Sequence, residues 1–187
     1  MRAIRTIENC DVCLFMIDAT EGLQGQDMNI FSIIEKNKKG VVMLVNKWDA
    51  IEKQTDTMKN IETVIKERTA PFIDFPIVFV SALNKQRIHK ALEIAMDVYE
   101  RRTQKFQTSK LNEAMLSVVQ KTPPPAYKGK YIKIKFVTQL STHYPSFALF
   151  CNLPQYIKDP YVRFVENKLR SIYNLSGVPI RIFFRKK

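Results

Sequence analysis

Three uninterrupted apolar runs mark the first half of the chain, at residues 12–18, 41–45 and 76–80. Runs without polar interruption are typical of parallel strands that are covered on both faces. After each run, apolar residues recur at helical spacing and predict a helix. These predicted helices lie near residues 27–36, 56–69 and 86–103. The strand–helix pattern therefore occurs three times, which predicts an α/β domain with a parallel sheet.

Polar residues lie at the end of each of the three predicted strands or directly after it. They are Asp18 at the end of the first strand, Asn46–Asp49 after the second and Ser81–Leu83 after the third. Ligands of such sheets bind at the carboxyl ends of the strands, which meet at one edge. The sequence therefore predicts a binding site formed by these loops.

The tetrapeptide Asn46-Lys47-Trp48-Asp49 is typical of a loop that recognises guanine. The Asp49 carboxylate can accept the N1–H and the exocyclic amino group of guanine, two bonds that adenine cannot supply. Leaving this charged pair unmade costs about 2–3 kcal/mol, which would select GTP over ATP. We expect Asn46 to tie neighbouring loops together and the stem of Lys47 to lie along the base. The alternative is a plain surface turn.

Ser81-Ala82-Leu83 strengthens this interpretation because it follows the next strand about 30 residues later. The backbone N–H of Ala82 would donate to guanine O6, and Ser81 would hold the turn. The predicted guanine-binding residues are thus Asn46, Lys47, Trp48, Asp49, Ser81, Ala82 and Leu83. No GxxxxGK[ST] phosphate loop occurs in the sequence, so it predicts half of a nucleotide site and no catalytic residue.

The second half of the chain follows a different pattern. A helix near 110–120 is followed by Tyr131–Val137, whose apolar residues Ile132, Ile134 and Phe136 alternate onto one face. Further strands are predicted at 146–151 and 179–185, separated by a helix near 159–174. The order helix, strand, strand, helix, strand predicts an α+β domain, with a three-stranded sheet and its helices on one face.

The net charge of +12 is concentrated in this second half. Residues 1–105 contain 16 Lys and Arg against 15 Asp and Glu, whereas residues 106–187 contain 14 against 3. The excess predicts a polyanionic partner, most simply RNA. Docking on an acidic protein surface is the alternative.

Within this basic half, Lys133, Lys135, Arg181 and Arg185 alternate along two predicted strands and would share a face with Phe183. Cations interleaved with an aromatic ring can contact phosphates and stack on bases. The sequence therefore predicts an RNA or ribosome contact here. The alternatives are a solvated face or one that packs on another domain.

Other classes of site receive little support. Cys10-x-x-Cys13 has the spacing of a metal or redox pair, but no second pair or histidine cluster completes it, so we predict buried thiols and no metal. Three cysteines suit a reducing, cytoplasmic location. No apolar run is long enough to span a membrane.

A series of motifs resembles the Der (EngA) family, bacterial GTPases with two tandem G domains and a C-terminal KH-like domain. The resemblance covers essentially the whole chain. Its motifs include Asp18-Ala19-Thr20-Glu21-Gly22, Asn46-Lys47-Trp48-Asp49, Ser81-Ala82-Leu83, Thr108-Ser109-Lys110-Leu111-Asn112, Lys133-Ile134-Lys135-Phe136 and Gly177-x-Pro179-Ile180-Arg181.

The resemblance implies that residues 1–105 form the C-terminal part of the second P-loop GTPase domain, and residues 106–187 the KH-like domain. The phosphate loop and the Mg²⁺ ligands would lie outside this chain. GTP or GDP with Mg²⁺ would therefore serve the intact protein, and we expect none bound to this chain and no hydrolysis by it. The incomplete sheet would expose an edge that favours dimerisation.

The resemblance also implies a role in ribosome biogenesis, with ribosomal RNA and the large ribosomal subunit as partners and no membrane. The GxxG loop with which KH domains usually grip nucleic acid is absent, because only Gly129 and Gly177 occur after residue 105. An alternative function is an RNA-binding module whose α/β half is a non-catalytic scaffold.

Overall fold

The computed structural model describes residues 2–52 and 54–186, which belong to two compact units. The first unit extends to Arg102 and also includes Leu175–Pro179, and the remaining residues form the second unit. The sequence placed the boundary after residue 105. Arg102 belongs to the first unit because its buried guanidinium donates to the carbonyl of Lys38 and pairs with Asp11 at 3.4 Å.

The first unit contains a parallel sheet in the order β1-β2-β3, which confirms the α/β prediction. Its strands are β1 (Val12–Asp18), β2 (Gly40–Asn46) and β3 (Ile77–Phe79). Its helices are α1 (Arg2–Asn9), α2 (Gly25–Lys36), α3 (Thr57–Thr69) and α4 (Ile88–Thr103), the last residue of which begins the second unit.

The central strand β2 explains why the apolar runs lack polar positions. Val41, Met43 and Val45 on one face and Val42 on the other are all fully buried. On β1, Phe15 and Ile17 are buried, whereas Leu14 and Met16 are 42% and 48% exposed. The prediction that both faces of the first strand are covered is therefore wrong, because the face that carries Leu14 and Met16 is exposed.

The short segment Leu175–Pro179 packs within the first unit, although the sequence assigned it to the second domain. The backbone N–H of Val41 donates to Gly177 O at 2.8 Å, and the N–H of Gly177 donates to Asp74 O at 2.9 Å. Gly177 has a φ of 81°, a left-handed conformation that glycine adopts without strain. The chain then continues into the last strand of the second unit.

The second unit has the predicted helix, strand, strand, helix, strand order. Its elements are α5 (Thr108–Lys121), β4 (Ile134–Gln139), β5 (Ser146–Cys151), α6 (Asp159–Ile172) and β6 (Arg181–Lys186). β5 is the central strand, antiparallel to β4 and parallel to β6. The buried face of the sheet includes Phe147 and Leu149 on β5, and the helices contribute fully buried Leu111 and Leu169.

A β-bulge in β4 changes which side chains share a face. Ile134 lies opposite Cys151, and Phe136 lies opposite Phe150, with the register shift between them. Because Cys151 and Phe150 are consecutive, their side chains and those of their partners lie on opposite faces. The prediction that Ile134 and Phe136 share a face is therefore wrong.

Candidate functional site

The carboxyl ends of β1 and β2 lie side by side in the structure. Asp18 pairs with Asn46 in the strand register, and the backbone N–H of Ala19 donates to Asn46 O at 2.8 Å. Two of the three predicted site segments therefore meet at one edge of the sheet, as the repeated strand–helix pattern indicated.

The loop after β2 is anchored by the side chain that follows Lys47. Trp48 begins a short 3-10 helix, is 3% exposed, and packs on Phe79 with a ring-centroid distance of 4.5 Å. Its backbone N–H donates to Val80 O at 3.1 Å. The side chains of Lys47 and Asp49 are exposed on either side of this anchor. Trp48 thus lies in the core beneath the loop, and the polar side chains remain accessible.

The loop after β3 is joined directly to the loop after β2. The backbone N–H of Ala82 donates to Oδ1 of Asn46 at 3.0 Å, so Asn46 ties the neighbouring loops together. This bond uses the same N–H that the sequence assigned to guanine O6. Donation to a base therefore requires Ala82 N–H to share or exchange its acceptor.

The turn of this second loop is built around Ser81. Its hydroxyl oxygen accepts from the backbone N–H of Asn84 at 3.1 Å, and its backbone N–H and C=O both bond to Gln86. Ser81 is fully buried, whereas the neighbouring Leu83 is 84% exposed. Ser81 therefore shapes the turn from inside, and Leu83 is presented at the surface.

The structure reveals an ion pair at this edge that the sequence did not predict. Lys47 Nζ lies 2.5 Å from Oδ2 of Asp18, which joins the end of β1 to the guanine-type loop. Hydrogen bonding from Lys47, with further donation from Thr20, lowers the pKa of Asp18 to about 2. The hydrogen bond to Asp18 in turn raises the pKa of Lys47. The sequence contained one signal for this ion pair: Asp18 and Asn46 end neighbouring predicted parallel strands, and Lys47 follows Asn46 directly.

The chemistry of these groups fits a purine base. A carboxylate, a lysine stem and backbone donors at one edge are suited to reading a base edge and covering its face. Among the described residues, no group of three or more His, Cys, Asp or Glu could hold a metal ion. Cys10 and Cys13 have their sulfurs 3.3 Å apart as free thiols.

The second candidate surface is the face of the second unit's sheet that carries Phe183. Arg181 and Arg185 flank this ring, with guanidinium carbons 4.9 and 5.6 Å from its centroid. Arg185 also lies opposite Phe150, which in turn lies opposite Phe136, and those two rings are 6.1 Å apart. The face therefore presents three aromatic rings and two arginines.

The predicted lysines are placed differently from the arginines. Lys135 is exposed at the bulge, and Lys133 precedes β4, where its backbone N–H donates to Asn152 Oδ1 at 2.8 Å. β4 and β6 flank the central strand, so the lysines border the sheet on the side away from Arg181 and Arg185. Sequence alternation did not place Phe136 on this face, because it contains no signal for the bulge in β4. Phe150 lies on β5, and the sequence assigned no face to the residues of that strand.

Comparisons with known proteins agree with both halves of this description. Residues 105–185 match the family described as "KH-domain-like of EngA bacterial GTPase enzymes, C-terminal". Residues 2–122 match the "Elongation factor Tu GTP binding domain" family. The GTPase Der of Christiangramia forsetii is 57% identical over 187 residues, all of this chain.

This chain belongs to the Der family of GTPases. The GTPases Der of Phocaeicola vulgatus and Bacteroides fragilis are 58% and 59% identical over 189 residues. The chain spans 43% of the length of each of these Der relatives. The fold is a partial P-loop GTPase domain followed by a KH-like domain of the type that the Der family carries at its C-terminus.

Among solved structures, a variant of Era from Aquifex aeolicus bound to GDP and AlF₄⁻ is 20% identical to the chain, with a TM-score of 0.45. The match covers 98% of this chain and 67% of the Era chain. None of the helices in residues 2–52 and 54–186 combines the length and the apolar character that a membrane crossing requires.

Proposed function

We propose that the first unit contributes the guanine-recognition loops of a GTP-binding protein. The observation that carries this proposal is the bond from Ala82 N–H to the Asn46 side chain, which joins two loops of the expected types at one sheet edge. Asp49 is exposed there, away from the packed core. Family membership supports the same assignment.

In the proposed complex, Asp49 accepts from N1–H and from the exocyclic amino group of guanine. Lys47 covers one face of the base with its stem, and Ala82 N–H donates to O6 while it also keeps its bond to Asn46. Trp48 fixes the loop after β2 by packing in the core. In the loop after β3, Ser81 shapes the turn and Leu83 presents a side chain at the surface beside the base. Loss of the two bonds to Asp49 would cost about 2–3 kcal/mol, which sets the preference for guanine over adenine.

The complete nucleotide site belongs, in this proposal, to the intact protein. There GTP or GDP would bind with Mg²⁺, whose role in phosphoryl transfer is to neutralise charge on the phosphates. The residues of this chain hold the base only, so we predict no hydrolysis by the chain alone. The intact protein would act in the cytoplasm in ribosome biogenesis, during assembly of the large subunit.

For the second unit we propose contact with ribosomal RNA through the face that carries Phe183. Arg181 and Arg185 can meet phosphates while Phe183, and beside it Phe150 and Phe136, offer rings for base stacking. The cation–π contacts place both guanidinium groups near the ring before any ligand binds, so a base that stacks on Phe183 would take the place of a guanidinium group there. Lys133 and Lys135 would add long-range attraction at the border of the sheet.

An RNA-binding module with a non-catalytic α/β scaffold remains the second candidate function for the chain by itself. The arrangement of arginines around Phe183 favours it, because that face needs nothing from the nucleotide site. The two functions differ in their ligand: only the first predicts a preference for guanine nucleotides.

We also propose that isolated copies of this chain dimerise along β1. This edge strand exposes Leu14 and Met16 on one face. An open apolar edge of this kind can pair with a second copy. Sedimentation analysis would show a concentration-dependent dimer, and Met16→Lys should shift it to monomer. Dimers unaffected by this substitution would place the interface elsewhere.

The guanine proposal is tested by base preference in the full-length protein. We expect GDP to displace a fluorescent GDP analogue far better than ADP. Asp49→Asn should weaken GDP and favour xanthosine diphosphate, because the new amide can donate to the carbonyl of xanthine. Asp56→Asn, an exposed carboxylate at the start of α3, is the matched control. Unchanged base preference in Asp49→Asn would remove the guanine role from this residue.

A further inference from the structure

The Asp18 carboxylate that pairs with Lys47 also accepts hydrogen bonds from a neighbouring residue, which fix its orientation. Oδ1 of Asp18 accepts from the backbone N–H of Thr20 at 2.9 Å and from its hydroxyl at 2.7 Å. Oδ2 remains directed at Lys47 Nζ, 2.5 Å away. The carboxylate is therefore held in one orientation by three donors, although the Lys47 side chain is 59% exposed.

The backbone on both sides of the pair is equally constrained. Asp18 pairs with Asn46 in the strand register, and its carbonyl accepts from Gly22 N–H at 2.8 Å. Lys47 itself has φ 61° and ψ 33°, a left-handed conformation that is unfavourable for a lysine. Such a conformation persists when the surrounding contacts require it. Here Trp48 anchors one end of the loop and Asp18 holds the lysine head.

We propose that Asp18 is a positioning residue for guanine recognition, which holds the Lys47 ammonium group so that the lysine stem lies ready to cover the base. This inference rests on the guanine function proposed above. Asp18 would touch neither the base nor a phosphate, and it acts through Lys47 alone. Its contribution is to order a long side chain before the ligand arrives.

The size of the effect follows from the freedom of the lysine side chain. Ordering a free lysine is among the largest side-chain entropy losses in proteins, equivalent to about tenfold or somewhat more in an equilibrium constant. The prearranged pair removes part of this loss from the binding step. We therefore expect release of Lys47 to weaken guanine nucleotides by about threefold to tenfold.

Asp18→Asn removes the ion pair with Lys47 and keeps the hydrogen bonds of the local turn, so it tests the two contributions separately. The amide oxygen can still accept both bonds from Thr20, while an NH₂ group replaces the oxygen that faces Lys47. Asp18→Ser also removes the charge and keeps an oxygen acceptor, so it replaces Asp18→Asn if that variant fails to fold. Glu93→Gln is the matched control, because it breaks an exposed 3.1 Å pair with Lys90 on α4.

The decisive experiment is a double-mutant cycle in the full-length protein, with GDP and ADP as competing ligands. We expect Asp18→Asn and Lys47→Met each to weaken GDP by about threefold to tenfold. The double variant should be no weaker than Lys47→Met, and Glu93→Gln should match the wild type. This non-additivity is a readout that a purely structural role of Asp18 would not produce.

Two results would overturn the inference: wild-type GDP affinity in Asp18→Asn, or losses that multiply in the double variant. The second result would show that Asp18 acts independently of Lys47. Failure of the guanine function itself looks different, because the wild-type protein would then show no preference for GDP over ADP.

Discussion

Replacing Gly177 by alanine is the sharpest test of the packing described above. A Cβ atom at this position would lie 2.6 Å from Cγ2 of Val98, 2.9 Å from the carbonyl oxygen of Val41 and 3.1 Å from Cδ of Pro76. Val98 is fully buried, and the Val41 carbonyl belongs to the central strand β2. Neither neighbour has room to move away.

Two costs add in this variant. The left-handed backbone at φ 81° costs a residue with a Cβ about 1–2 kcal/mol. The collisions add about 1–3 kcal/mol, the usual penalty for overpacking a core. We therefore expect Gly177→Ala to lower the free energy of unfolding of the first unit by about 2–5 kcal/mol.

Gly22→Ala provides the matched control within the same unit. Gly22 has a φ of 68°, but an added methyl carbon would meet nothing within 4 Å, so only the backbone cost of about 1–2 kcal/mol applies. Urea unfolding followed by fluorescence reports on this unit, because the chain's single tryptophan, Trp48, is buried there. If Gly177→Ala loses no more stability than Gly22→Ala, the proposed collisions do not occur.

Three further predictions concern the ion pair of Asp18 and the RNA-binding face. The folded state lowers the pKa of Asp18 from 3.8 to about 2, so its ion pair stabilises the fold above about pH 4 and loses this effect as the pH falls towards 2. Thermal unfolding should therefore show a stability difference between wild type and Asp18→Asn at pH 6 that shrinks by about pH 2.5; a constant difference would contradict this linkage. For RNA, Arg185→Gln should reduce the slope of log affinity against log salt by about 0.7 for a single strand. Phe183→Ala should weaken binding by about 1–3 kcal/mol with the slope unchanged. Lys121→Gln on α5 is the control, and equal effects of all three variants would argue against a specific face.

Much of the fold follows from local pattern. The apolar runs predicted the positions of β1, β2 and β3, and for the central strand β2 the reason is packing on both faces, which leaves few positions for polar residues. The residues directly after those strands predicted the shared edge, since all parallel strands end on the same side of a sheet. Asn46 joins the two loops for this reason.

The candidate site was predicted only in part, because several of its features depend on partners distant in sequence. The pairing of Lys47 with Asp18 needs the β1–β2 register, which no local pattern contains. Trp48 was grouped with the base-reading residues, yet its ring packs on Phe79 in the core. Nothing in the tetrapeptide itself distinguishes an anchor from a contact residue.

The sequence alone determined the element order, the residue types at the strand ends and the concentration of positive charge in the second half. Only the tertiary structure decided which side chains share a surface. A single bulge in β4 moved Phe136 to the face of Phe150 and Arg185, because one extra residue reverses the alternation of a strand. Leu175–Pro179 belongs to the first unit because Gly177 within it pairs with the backbone of Val41 and Asp74, which are far away along the chain. Sequence pattern contains no signal for such pairing. Sequence periodicity reports on residues that are near each other along the chain. These contacts depend instead on hydrogen bonds between backbone groups that are distant in sequence.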